Sequence, residues 1–180
     1  MNERVFTHNV DRLRNPERKE RLEVKHVVDL LFDNQTIHSV LDIGTGSGLF
    51  AEEFNKRNII VSGIDLQPEM IELAKGYLPE CKFEVAAAED IPFENESFDI
   101  AFFGLVFHEV DDYTKALTEA KRVAVKEVAV LEWNYKTEET GPPLEHRINP
   151  DFIEQLSIII GFKQFEAVVL KNLTLYRLKI

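Results

Sequence analysis

The chain has 180 residues, 44% of them hydrophobic and 29% charged, with a formal net charge of -11 at pH 7. This length is typical of one domain with a substantial core, and the composition, with Cys81 as its single cysteine, excludes disordered and collagen-like chains, disulfide scaffolds, zinc ribbons and iron–sulfur proteins. The acidic surplus repels phosphate backbones, so nucleic acid is not an expected partner.

The N-terminal region is predicted to be helical. Asn15, Pro16 and Glu17 form a helix start signal, and an apolar periodicity continues the helix to about Phe32. The basic residues of this region alternate with acids, and we interpret them as a solvated helix face with short-range ion pairs. They are Arg12, Arg14, Arg18, Lys19, Arg21 and Lys25.

Strands and helices alternate through the middle of the chain, which is typical of a parallel sheet with helices on both faces. After a helix predicted at 151–160, strands at 164–170 and 173–178 are separated by two residues and must form an antiparallel hairpin. No composition shift marks a domain boundary, so we expect one domain over 1–180. The preceding strands are predicted at 39–43, 59–64, 82–86, 98–103 and 128–133, and the helices at 49–56, 68–78 and 113–123.

The first predicted strand ends in a turn with three alternate glycines, VLDIGTGSG over 40–48, before a helix. Glycines there allow positive φ and let a ligand approach the backbone. A dinucleotide-binding fingerprint has a third glycine where Leu49 stands, and Asp42 would repel a pyrophosphate but attract an amino group. Asp65 follows the second strand, where a carboxylate accepts both ribose hydroxyls. These residues predict a nucleoside ligand that carries an amine.

Three segments in order, DIGTGSG, GIDLQPEMIELA and AAAEDIPFENESFDIAFFGLVFHEVDD, resemble class I S-adenosylmethionine-dependent methyltransferases, most of all the small-molecule type of ubiquinone/menaquinone biosynthesis. The resemblance covers about residues 38–133. It implies a Rossmann-like α/β fold with a seven-stranded, mostly parallel sheet in the order 3-2-1-4-5-7-6, the last strand antiparallel, and helices on both faces. It also implies S-adenosylmethionine as cofactor, S-adenosylhomocysteine as product, a small-molecule methyl acceptor and no metal.

The same resemblance implies which residues hold the cofactor. The methionine moiety lies against Asp42 and the glycine turn, the ribose against Asp65, and the adenine against the residues after the second and third strands. This sequence departs from the family at Ala87, where an aspartate commonly binds the adenine amino group. The implied cofactor residues are Asp42, Gly44, Thr45, Gly46, Asp65, Leu66, Ala88, Glu89, Gly104 and Leu105.

Residues near the predicted ends of strands four and five are candidates for the acceptor side. His108 is either a general base near the acceptor or a loop residue that hydrogen-bonds backbone. Trp133 either walls the acceptor cavity or belongs to the core. In the loop 141–147, His146 and Arg147 follow two prolines, and Arg147 either clamps an acceptor carboxylate or phosphate or is structural.

Three further expectations concern the whole chain. By the resemblance, the helical segment 1–32 is a candidate lid, with Phe6 and Leu13 over the pocket. The longest apolar run, 100–107, is too short to span a membrane, and the charged first residues do not form a signal peptide, so we expect a cytoplasmic protein. Two alternatives stay open, a catalytically silent S-adenosylmethionine-binding regulator and an NAD-dependent dehydrogenase; the oligomeric state is also open.

Overall fold

A computed structural model describes residues 13–33, 35–138 and 140–180. No helix within these ranges is long and apolar enough to cross a membrane. Two single-turn 3₁₀ helices follow β4 and β5, at Phe107–Glu109 and Leu144–His146. The other elements, in chain order, are α1 Pro16–Arg21, α2 Val24–Phe32, β1 Ser39–Ile43, α3 Leu49–Asn55, β2 Ile60–Asp65, α4 Pro68–Tyr77, β3 Lys82–Val85, β4 Phe98–Gly104, α5 Tyr113–Val123, β5 Ala124–Trp133, α6 Pro150–Ile160, β6 Gln164–Val169 and β7 Leu173–Lys179.

The strands form one seven-stranded sheet in the order β3-β2-β1-β4-β5-β7-β6. Strands β1 to β5 pair in parallel, whereas β7 runs antiparallel to both β5 and β6. The predicted sheet order and the reversed last strand are confirmed. Because β1, β2 and β4 are parallel neighbours, their carboxyl ends meet at one edge, which is where open α/β sheets bind ligands.

An apolar core lies on each face of the sheet, which confirms the prediction of helices on both sides. Phe102 and Phe103 are adjacent in β4 and belong to different cores, because successive strand side chains point to opposite faces. The first core packs α2, α3 and α4 against the sheet, with Phe54 fully buried. The second packs α5 and α6, with Leu117 fully buried.

The structure corrects the prediction of one continuous N-terminal helix. The chain turns between α1 and α2 at Glu23, which has a left-handed φ of 47°. Leu22 and Val24 are both buried, at 1% and 6% exposure, although residues two apart point to different sides of a continuous helix. The break therefore lets both side chains enter the core.

Strand β5 begins at Ala124, four residues earlier than the predicted start at 128, and follows α5 without a loop. Ala124 is 2% exposed and pairs with Phe98 at the start of β4. Lys126 and Glu127 are charged and interrupt the apolar run, so the sequence does not indicate that the strand includes them. Glu127 is nonetheless fully buried, because Arg177 and Lys179 on the neighbouring strand β7 pair with its carboxylate.

Candidate functional site

A cavity of about 200 Å³ opens at the carboxyl ends of β1, β2 and β4. It contains all ten residues that the sequence assigned to cofactor binding, drawn from four separate chain segments. Their convergence follows from the parallel pairing of the strands that precede them. The ten are Asp42, Gly44, Thr45, Gly46, Asp65, Leu66, Ala88, Glu89, Gly104 and Leu105.

The turn after β1 accepts only glycine at its first position and gives a ligand bare backbone at its second. Gly44 has a φ of 67°, and a Cβ there would lie 2.5 Å from Cγ2 of Val106. Gly46 has a φ of 53°, and a Cβ there would meet nothing within 4 Å. Since Gly46 lines the cavity, this open space is available to a ligand.

Asp65 at the end of β2 is fixed by two backbone donors. Its Oδ2 accepts from the Gly46 N–H at 2.9 Å and its Oδ1 from the Gln67 N–H at 2.9 Å. Burial raises the pKa of Asp65, while these two hydrogen bonds oppose the rise. Each oxygen retains acceptor capacity, so the carboxylate can bind two neighbouring hydroxyls.

Asp42 lies deeper in the wall, at 1% exposure. Its Oδ2 accepts from Oγ1 of Thr45 at 2.7 Å. Burial raises the pKa of Asp42 to about 7, against the opposing hydrogen bonds from Thr45 and the Ala51 backbone. Because a nearby cation favours a carboxylate over a carboxylic acid, Asp42 can respond to a positive ligand in the cavity.

The segment after β3 forms another part of the wall, with Ala86, Ala87, Ala88 and Glu89. Oε1 of Glu89 accepts from the backbone N–H groups of Asp111 and Asp112, at 2.9 and 3.2 Å. Glu89 therefore ties the end of the β4–α5 connection to this segment. Its role toward adenine stays a prediction.

His108 does not line the cavity but forms a buried pair with Glu132 of β5. Its Nδ1 is 2.9 Å from both carboxylate oxygens, so Nδ1 carries the proton and donates it. Glu132 also accepts from the backbone N–H groups of His108 and Trp133, at 3.0 and 3.2 Å. Nε2 is 3.7 Å from Oε1 of Glu109, which does line the cavity. No local pattern indicates this pairing, because His108 and Glu132 are 24 residues apart in the chain.

Three residues predicted for the acceptor side, Trp133, His146 and Arg147, also lie outside this cavity. Trp133 is 6% exposed and packs in the first core. His146 belongs to the second 3₁₀ helix. Arg147 faces its own loop and is 5% exposed. Its guanidinium donates to the backbone carbonyl oxygens of Pro142, Asn134 and Thr140 and to the carboxylate of Glu138, at 2.7–3.0 Å.

These contacts favour the structural alternative for Arg147, which fastens the loop after β5 and does not reach the cavity. Arg147 is therefore not part of our proposed acceptor site.

No group of three or more His, Cys, Asp or Glu side chains suited to a metal ion occurs in 13–33, 35–138 or 140–180. The absence of a metal from the reaction stays a prediction.

The N-terminal segment supplies the wall residues Leu13, Arg18 and Leu22, of which only Leu13 was expected there from the sequence. Arg14 fastens this segment: its Nη1 donates to the Ser47 carbonyl at 2.7 Å, and its guanidinium pairs with Glu52. The Arg14 guanidinium also lies 3.8 Å from the ring centre of Tyr77.

The interpretation of this basic cluster as a solvated face is therefore wrong for Arg14 and Arg18. No local pattern distinguishes them from Lys19 or Arg21, because their surroundings come from α3, α4 and the glycine turn. Leu13 lines the cavity and Phe6 lies outside the described residues, so the lid stays a prediction.

Comparison with known proteins gives one family. A model of the methyltransferase domain matches residues 41–131. The ubiquinone/menaquinone biosynthesis C-methyltransferase of Geobacter sp. (strain M21) is 35% identical over 140 residues, which are 71% of this chain and 58% of that protein. An uncharacterized methyltransferase of Bacillus subtilis (strain 168) is 36% identical over 91 residues, 48% of this chain and 36% of that protein. The chain thus spans 58% and 36% of these relatives' lengths.

A similar solved structure extends the likeness to the whole fold. The crystal structure of a S-adenosylmethionine-dependent methyltransferase from Aquifex aeolicus is 26% identical and superposes with a TM-score of 0.82. The match covers 95% of this chain and 96% of that one. The likeness therefore includes the antiparallel hairpin and the helices that surround the cavity.

Proposed function

Because this chain belongs to the S-adenosylmethionine-dependent methyltransferase family, we propose that it transfers a methyl group from that cofactor to a small-molecule acceptor. The family resemblance, the fold and the cofactor predicted from the sequence are confirmed. The observation that most supports the activity is the convergence of Asp42, the glycine turn and Asp65 in one cavity. The NAD-dependent dehydrogenase is not favoured, since the matching family is a methyltransferase and Leu49 stands at the third fingerprint glycine.

The residues present fit the cofactor. The fixed carboxylate of Asp65 suits a ribose diol, and the open backbone at Gly46 leaves room for the chain beyond it. The buried Asp42 suits the positive charges of the methionine moiety. When bound, S-adenosylmethionine supplies a methyl group activated by the sulfonium charge.

The protein's own contribution is positioning and exclusion of water. Leu13, Leu22 and Val106 line the same cavity, and apolar walls remove water from an in-line displacement that depends on alignment. We infer that the acceptor is a small metabolite with an oxygen, nitrogen or carbon nucleophile, and that the protein acts in the cytoplasm without a nucleic-acid partner.

A proton that leaves the acceptor requires a basic group near the wall, and His108 remains our candidate. With Nδ1–H held by Glu132, the basic nitrogen Nε2 is directed toward Glu109 at 3.7 Å. We propose that Glu109 relays the proton between the cavity and His108. The silent regulatory protein has the same cofactor pocket, and turnover with a panel of acceptors separates the two functions.

Cofactor binding is the first test. Calorimetry should detect S-adenosylmethionine and S-adenosylhomocysteine but not NAD, and ligand at 100 times its dissociation constant should add about 2.7 kcal/mol to the free energy of unfolding. Asp65→Ala should weaken binding by roughly 1.5–3 kcal/mol, because a charged acceptor is lost. The matched control is Asp151→Ala, an exposed position on α6. Binding of NAD alone would refute the assignment, and full affinity in Asp65→Ala would place the ribose elsewhere.

Binding should also depend on pH through Asp42. With its pKa near 7 in the free protein, ionisation must accompany binding of a cation, so affinity should rise up to about tenfold per pH unit below 7 and level off above it. Without ligand, the same proton stabilises the folded chain at low pH, and this stabilisation is lost as pH rises from 3.8 through about 7. Calorimetry between pH 5.5 and 8.5 should show that Asp42→Asn largely removes the pH dependence of cofactor affinity. An unchanged pH profile in this variant would contradict the role of Asp42.

A further inference from the structure

The charges around the cavity are strongly unequal. Five carboxyl side chains and one guanidinium belong to the wall, and Arg18 is the single Lys or Arg among the described lining residues. The carboxyl groups come from the ends of β1 and β2, from the segment after β3 and from the β4–α5 connection. The charged lining residues are Arg18, Asp42, Asp65, Glu89, Glu109 and Asp111.

Arg18 is held in this position by the anchoring of α1. Arg14 lies in the turn that precedes α1, four residues before Arg18. Its hydrogen bond to the Ser47 carbonyl fastens the start of α1 to the glycine turn, and Arg18, Ser47 and Asp42 line the same cavity. Leu13 and Leu22, on either side of α1, are 9% and 1% exposed and also line the cavity.

The cofactor carries one anionic group, the α-carboxylate of its methionine moiety, beside an ammonium and a sulfonium. Among five wall carboxyl groups, this carboxylate is repelled from most of the cavity surface. A guanidinium is the side chain that best matches it, because two parallel N–H donors fit the two oxygens. Arg14, at the start of the same segment, contacts the glycine turn, and the methionine moiety is expected at that end of the cavity.

We propose that Arg18 binds the α-carboxylate of S-adenosylmethionine, an inference that rests on the proposed function. The group recognised is a carboxylate, and an acceptor with a carboxylate is the other source of the same chemistry. Burial lowers the pKa of Arg18 from its ordinary value, and the charge of Arg21 adds to this effect. An anion bound beside Arg18 offsets both contributions.

The test compares ligands with and without the carboxylate. Binding of S-adenosylhomocysteine, its α-carboxamide and 5′-methylthioadenosine is measured by calorimetry on the wild type and on Arg18→Met, which keeps an apolar stem. Arg18→Met should weaken S-adenosylhomocysteine roughly 10- to 100-fold, the usual effect of losing a charge-assisted hydrogen bond. It should leave both ligands without the carboxylate within about twofold of the wild type.

Arg21→Met removes an equal charge from the same helix at an exposed position and should bind all three ligands normally. Arg18→Lys should recover only part of the affinity, because an ammonium does not form the paired contact. If Arg18→Met does not fold, the affinities of the wild type still test the proposal. The wild type should bind the α-carboxamide roughly 10- to 100-fold more weakly than S-adenosylhomocysteine, and equal affinities would overturn the proposal.

Equal weakening of all three ligands by Arg18→Met would make Arg18 a structural residue and overturn the proposal. Unchanged affinity for S-adenosylhomocysteine would do the same and leave an acceptor carboxylate as the partner of Arg18. Failure of the wild type to bind S-adenosylhomocysteine or 5′-methylthioadenosine would refute the proposed function itself, which is a distinct result.

Discussion

Replacing Gly44 with alanine should lower the free energy of unfolding by roughly 2–5 kcal/mol and abolish cofactor binding. A left-handed conformation costs an L-residue about 1–2 kcal/mol. The added Cβ would also lie 2.5 Å from Cγ2 and 2.7 Å from Cβ of Val106, and overpacking of this kind costs about 1–3 kcal/mol more. Urea unfolding measures the stability, and calorimetry measures the binding.

Two variants separate the contributions at Gly44. Measured against Val106→Gly alone, Gly44→Ala in the Val106→Gly background has no clash and should show only the backbone cost of about 1–2 kcal/mol. Gly76→Ala is the matched control: it lies within α4, where a Cβ meets nothing within 4 Å. It should stabilise the protein by about 0.5–1 kcal/mol, because alanine favours the helix. A Gly44→Ala variant with normal stability and affinity would show that the turn does not constrain this position.

Glu132→Ala should destabilise the protein by about 3–5 kcal/mol, the usual cost of breaking a buried pair by removal of one partner. Glu132 is fully buried and accepts from the imidazole Nδ1–H and from two backbone N–H groups, so alanine leaves three donors without their acceptor. His108→Ala together with Glu132→Ala should cost less than the sum of the two single variants. Urea unfolding of all four proteins measures the coupling.

The control for Glu132 is Glu166→Ala. Glu166 is 60% exposed and lies 3.9 Å from Arg177, so its loss should change stability by at most about 1 kcal/mol. Strict additivity of His108→Ala and Glu132→Ala would contradict the pairing. Glu132→Gln retains the side-chain shape, and turnover per folded molecule in this variant tests the proton relay: a normal pH profile would leave His108 with a structural role alone.

The part of the site that the sequence predicts well depends on neighbouring strand ends. Asp42, the glycine turn and Asp65 each follow a strand directly, and a parallel sheet brings such ends together whatever the remaining contacts are. The hairpin between β6 and β7 was equally predictable, since its short connection permits one direction only. These features are local in the chain, so the backbone preferences and the hydrophobic periodicity of the sequence indicate them.

The sequence by itself therefore determined the family, the sheet order and which strand-end residues meet in the cavity. Only the tertiary structure decided the roles of the charged side chains. Arg14 meets Ser47 across 33 residues, and His108 meets Glu132 across 24. Whether an arginine is solvated, lines a cavity or fastens a loop, as Arg147 does, depends on the groups that other elements pack against it. Desolvation and pairing are properties of that packed environment, and the residue type and its neighbours in the chain do not encode them.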